Sequence, residues 1–189
     1  MDQFLEHGFD GATVADIAEA ADIATRTFWL HFPSKEAVVF SDVDEHIKGL
    51  TDWVEGRDPS QTILAEIRPF FLNFLRERSR LGEMGRRRLI RETPSLLTRE
   101  RMEIARVETV LISAIAADLG DAPSSLRPRL VAASLTTAFR SVVLRYDAAY
   151  EAGTNADPQE LLGDFDDAFA FLEGGLESLT ERTGARSAP

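Results

Sequence analysis

With 189 residues the chain can bury a sizeable core, but with no cysteine it can form neither a disulfide framework nor a thiolate metal site. Its formal net charge of −11 argues against wrapping a long polyanion. Residues 1–50 hold 3 Lys/Arg against 10 Asp/Glu, residues 51–119 hold 12 against 11, and residues 120–189 hold 6 against 11. No apolar run reaches the roughly 18 residues of a membrane span and no secretory pattern opens the chain, so a soluble cytoplasmic protein with no membrane partner is expected.

Apolar residues recur at helical spacing almost throughout, as at Val107, Val110, Leu111, Ala114 and Ile115, and nothing reads as strand. The expected fold is all-α. Gly8, Gly11, Asp22, Pro33, "EGRDPS" at 55–60, Pro94, "LGDAPSS" at 119–125 and "EAGTNADP" at 151–158 punctuate it into short helices before Pro33 and longer ones after it.

The first well-marked helix is "TVADIAEAA", with Thr13 as N-cap and Asp16 three residues on, an acidic variant of the capping box. Asp22 can take a left-handed turn at lower cost than most non-glycine residues, and Ile23 can plug the space between two crossing helices. A second short helix runs from about Ala24 or Thr25 to His31, and two such helices joined by a tight turn make a helix-turn-helix. If the second lies in a DNA major groove, Thr25, Arg26 and Thr27 can reach base edges or phosphates. Phe28 and Phe32 then face the scaffold, Trp29 and His31 can donate to phosphate oxygens, and Ser34 caps the helix that carries Lys35.

These residues carry a resemblance. "FLEHGFDGATVADIAEAADIATRTFWLHFPSKEAV" is similar to the DNA-binding domain of the TetR family of bacterial transcriptional regulators. The resemblance implies a dimeric repressor whose hold on a double-stranded operator is released by a small molecule. It places Trp29 where the family has a phosphate-contacting tyrosine and Lys35 at its phosphate-contacting lysine. The resulting DNA-contacting set is Thr13, Thr25, Arg26, Thr27, Trp29, His31 and Lys35. The chain departs from the pattern in five places: Met1 falls within the family's first helix, Asp22 stands for Gly, Ala24 for a capping Ser, Arg26 for a common Gly, and Leu30 takes a position often polar or basic. The truncated first helix, the acidic N-terminal region and the missing cap at Ala24 support an alternative beside the repressor, a TetR-like sensing or protein-interaction dimer that has lost operator binding.

Beyond residue 36, helices are expected over about 36–55, 60–80, 83–93, 95–118, 125–151 and 158–182. The domains expected are 1–45 for DNA binding, with a truncated first helix, 46–182 for ligand binding and dimerisation, and a disordered tail at 183–189. "RRRLIRETPSLLTRERMEIARVE" resembles the C-terminal domain of a TetR subgroup that senses acyl-CoA-like ligands, which need an apolar tunnel and guanidinium groups at its mouth. The effector set drawn from this is Phe71, Phe74, Met84, Arg87, Arg91, Met102 and Phe139. The apolar faces of the last two helices, carrying Leu130, Val142, Phe165 and Phe171 among others, are those that the family pairs in a homodimeric four-helix bundle.

No catalytic residue, metal site or cofactor is expected. Only His7, His31 and His46 are available as imidazoles, no GxSxG, P-loop or HExxH arrangement occurs, and Asp164, Asp166 and Asp167 scatter around one helix.

Overall fold

The computed structural model describes the backbone of residues 1–58, 60–78, 81–152 and 158–187, and the side chains of these except 74–78, 81–83, 150, 158–162 and 179–187. Among the described residues every regular element is helical: α1 (Asp2–Gly11), α2 (Val14–Ala20), α3 (Thr25–His31), α4 (Lys35–Val39), α5 (Val43–Gly56), α6 (Ile63–Arg78), α7 (Leu81–Glu92), α8 (Pro94–Leu119), α9 (Leu126–Glu151) and α10 (Pro158–Ser187). No helix among them is long and apolar enough to cross a membrane. α10 continues to Ser187, into the segment expected as a tail at 183–189.

The helix expected over 36–55 is two helices. Phe40 leaves the helical conformation (φ −109°, ψ 24°) and is buried beside Phe4, Phe9 and Val39. Val39, the last residue of α4, keeps a carbonyl oxygen that a continuing helix would have bonded, and Arg86 Nη1 donates to it at 2.8 Å. In α1 the break falls at Gly8, whose φ of 73° and ψ of 166° suit only glycine.

The chain divides into two compact units, Met1–Gly49 with Arg76–Arg106, and Leu50–Leu75 with Val107–Pro189. This differs from a single break at residue 45. Helices of five to ten residues cannot bury a core by themselves. The first unit therefore recruits Leu89, Ile90 and Leu96 from α7 and α8 to close over Phe4, Phe9, Ala12, Val39 and Phe40.

The second unit buries Ile63, Ile67 and Phe71 of α6, Leu111 and Ile115 of α8, Leu135 and Val142 of α9, and Phe165, Phe169 and Leu172 of α10. Side chains tie its helix ends. Asp118 accepts from the Ile63 amide at 2.7 Å, capping α6, and also pairs with Arg57, whose Nη1 donates to Gln61 O at 2.6 Å. At the end of α8, Gly120 (φ 62°) lets the Asp121 amide reach Ala116 O at 2.9 Å, and the Asp121 carboxylate then takes two hydrogen bonds from Arg127. Of the apolar residues on α9 and α10, Leu135, Val142, Phe165, Phe169 and Leu172 are used inside the unit, whereas Leu130, Leu144 and Phe171 stay exposed.

Candidate nucleic-acid interface

Thr13 and Asp16 set the start of α2. The Thr13 amide donates to Asp16 Oδ2 at 3.0 Å, its hydroxyl donates to the same oxygen at 2.6 Å, and the Asp16 amide donates to Thr13 Oγ1 at 3.2 Å. The Thr13 hydroxyl, then its amide, hold the Asp16 carboxyl below its ordinary pKa. Thr13, expected as a DNA contact, thus directs its amide and hydroxyl hydrogens to Asp16 and caps α2.

The turn between α2 and α3 is built on Asp22 in the left-handed region (φ 54°), with the Ile23 amide donating to Ala18 O at 3.0 Å. Ile23 itself is over one-third exposed, so it does not serve as the expected plug. Ala18 and Phe28 are both buried and fix how α3 lies against the unit. Phe28 meets Phe32 at 5.4 Å between ring centroids and the edge of Trp29 at 5.2 Å. With Phe28 turned inward, helical geometry turns Arg26 and Leu30 outward and Trp29 to the flank, whereas Thr25 is open because it begins the helix. All four are exposed, as is His31, whereas Thr27 is half-buried. Ala24 provides no side-chain cap, so α3 begins without a side-chain acceptor for its first amides.

Lys35, expected to contact a phosphate, is engaged within its own unit. Its ammonium donates to Phe9 O and Ala12 O, both at 2.9 Å, and lies 4.8 Å from the centre of the Phe9 ring. These contacts clamp the carbonyl end of α1, where a cation is favoured. One of its three hydrogens is left over from these two bonds. Ser34, as expected, caps α4 by accepting from the Ala37 amide at 3.3 Å.

The residues expected to hold an effector are not gathered in one unit. Phe71 and Phe139 stack at 4.4 Å in the second unit, next to Phe165. Met84, Arg87, Arg91 and Met102 belong to the first unit, where Met102 is 58% exposed. The Phe74 side chain lies outside the described residues. The gap lined by Phe71, Leu135, Phe139, Phe165, Phe169 and Leu172 is apolar, partly open and too tight for a water molecule, so a ligand entering there must part the rings. Much of the arginine-rich segment is paired locally: Arg99 and Arg106 both hold buried Glu103, and Arg88 pairs with Glu92. Asp164 and Asp166 pair with Arg145 and Arg68 respectively, so these two carboxylates do not converge.

Sequence reasoning passed over Arg86 as one of four clustered arginines. The signal was present: residue 86 precedes Leu89 and Ile90 by three and four positions, which places it on the apolar face of α7.

Residues 1–41 match the family model described as bacterial regulatory proteins of the tetR family, and residues 62–177 match the MftR C-terminal domain. The chain belongs to the TetR family. It is therefore a DNA-binding transcriptional regulator, with α2 and α3 as its helix-turn-helix. Among TetR-family relatives, the HTH-type transcriptional regulator TcmR of Streptomyces glaucescens is 32% identical over 166 residues, covering 80% of this chain and 73% of TcmR. MftR of Mycobacterium tuberculosis, described as a mycofactocin biosynthesis transcriptional regulator, is 27% identical over 183 residues, 96% of this chain and 89% of MftR. The repressor KstR2 of the same species is 41% identical over 54 residues, 29% of this chain and 25% of KstR2.

Proposed function

We propose that the chain is a homodimeric repressor that binds a double-stranded operator through Arg26 and its neighbours on α3 and is released by a small apolar or acyl-CoA-like effector. The observation that carries the DNA-binding part is the outward face of α3: Arg26, Trp29 and Leu30 stand exposed on a helix anchored from behind by buried Phe28. Arg26 is the residue suited to reading guanine O6 and N7, and Thr25 and His31 can position the helix on phosphates. The acidity of the first 50 residues limits non-specific attraction, so binding should depend heavily on the few contacts that α3 makes.

The effector reading is supported by the Phe71, Phe139 and Phe165 cluster, an apolar site on three different helices that only a ligand able to displace its rings can enter. Displacing packed rings requires movement of α6, α9 or α10, and that movement provides the coupling. A few kcal/mol of differential affinity between two arrangements suffices for release.

The test is selection of bound sites from random duplex DNA, followed by affinity measurement at two salt concentrations with and without acyl-CoA thioesters of increasing chain length. A selected site bound more weakly at high salt, and released by a longer thioester but not by free coenzyme A, is expected. Selection of no site by a folded dimer that still binds thioester would favour the sensing module, a reading consistent with the uncapped start of α3 at Ala24.

A further inference from the structure

The outer face of α3 carries an apolar side chain that the fold does not use. Leu30 is 80% exposed, whereas the packing of this helix is done by Phe28 at 1%. Scattered surface leucines need no explanation. Leu30 differs in its setting: it lies on a seven-residue helix, beside half-exposed Trp29 and one turn after exposed Arg26. Residues four apart share a helical face, so Arg26 and Leu30 present a guanidinium and an isobutyl group about 6 Å apart along the axis.

A surface that meets this pair must offer an acceptor cluster and, close by, an apolar group. The floor of the DNA major groove does so in one way: guanine presents O6 and N7, and thymine presents a 5-methyl group, the one apolar feature on a base edge there. Phosphates and sugars have nothing for a leucine to recognise, and Leu30 has no hydrogen-bonding atom with which to hold them. At about 3.4 Å per base step, 6 Å of helix corresponds to about two base pairs.

We propose that Leu30 is a specificity-determining residue that reads a thymine through its 5-methyl group, about two base pairs from the guanine read by Arg26. This rests on the DNA-binding reading of α3 and adds to it the kind of base that the apolar position selects.

The experiment selects sites from random duplex DNA with the wild-type chain, then replaces each thymine of the selected site with deoxyuridine, which removes only the methyl group. Wild type should lose about fourfold in affinity at one particular thymine. Leu30→Ala, which alters no buried contact and should keep the wild-type circular dichroism spectrum, should bind the thymine site about fourfold more weakly and ignore the deoxyuridine replacement. Equal sensitivity of both proteins at every thymine, or insensitivity of wild type throughout, would overturn the role of Leu30 while leaving operator binding intact. Failure of wild type to select any site would overturn both.

Discussion

Arg86 donates from Nη1 to the carbonyl oxygen of Val39, 47 positions earlier in the chain, at 2.8 Å, and the same nitrogen lies 2.7 Å from Asp42 Oδ1. One guanidinium, 4% exposed, thus satisfies the last carbonyl of α4 and an acidic side chain just before α5. The turn between α4 and α5 depends on α7 for this reason.

Replacing Arg86 by Met keeps much of the apolar stem but leaves the Val39 carbonyl and the Asp42 carboxylate without that donor. A loss of about 2–3 kcal/mol in folding stability is expected, from an orphaned buried acceptor and a broken charge-assisted bond. Denaturant midpoints of wild type and Arg86→Met at pH 7 check it, and a difference under about 0.5 kcal/mol would remove Arg86 from the scaffold.

The Thr13 and Asp16 capping box has a pH signature. Because hydrogen bonds from Thr13 lower the Asp16 pKa below its ordinary value near 3.8, the unfolded chain takes up this proton first as pH falls. The contribution of Asp16 is therefore complete above the unfolded value and is lost as pH drops through the lower folded one. The stability difference between wild type and Asp16→Asn should be constant above about pH 5 and shrink below about pH 4. A difference that grows on acidification would contradict the assignment.

Lys35 separates two roles that the sequence alone does not. A phosphate-contacting lysine contributes about 0.9 to the slope of log affinity against log salt, and its removal flattens that slope. With Lys35 clamped on Phe9 O and Ala12 O, Lys35→Met should instead lower folding stability by about 1–2 kcal/mol and leave the salt slope unchanged. A flattened slope with unchanged stability would restore the phosphate role.

Phe171 is 77% exposed on α10 although its neighbours Phe169 and Leu172 are buried. If α10 supplies the dimer contact, Phe171→Glu should weaken self-association by at least about tenfold, measured by sedimentation equilibrium. Unchanged association would place the dimer contact on another surface.

The helix-turn-helix is legible in the sequence because each local signal has a near neighbour as its partner. Thr13 answers Asp16 three residues on, Asp22 turns on its own backbone, Ser34 answers Ala37, and Phe28 opposes an outward face that follows from helical period. What is not legible depends on distant partners. The sequence around Lys35 does not reveal that its ammonium also holds the Phe9 and Ala12 carbonyls, nor does Thr13 show that its hydroxyl donates to Asp16. Periodicity carries α4 into α5, because nothing local announces that Phe40 must turn into a core with Phe4 and Phe9. The division of the effector set is not legible for the same reason: Phe71 and Arg87 are 16 positions apart in sequence yet fall in different compact units.

The measurement that tests the central claim most directly is the ratio of affinities for a selected site and for unrelated duplex DNA, in wild type and in Arg26→Ala, at one fixed salt concentration. A bidentate arginine contact carries about 1–3 kcal/mol of base discrimination, so the ratio should fall about fivefold or more while unrelated DNA is bound nearly as before. A ratio that is the same in both proteins would contradict reading of the operator by the outer face of α3.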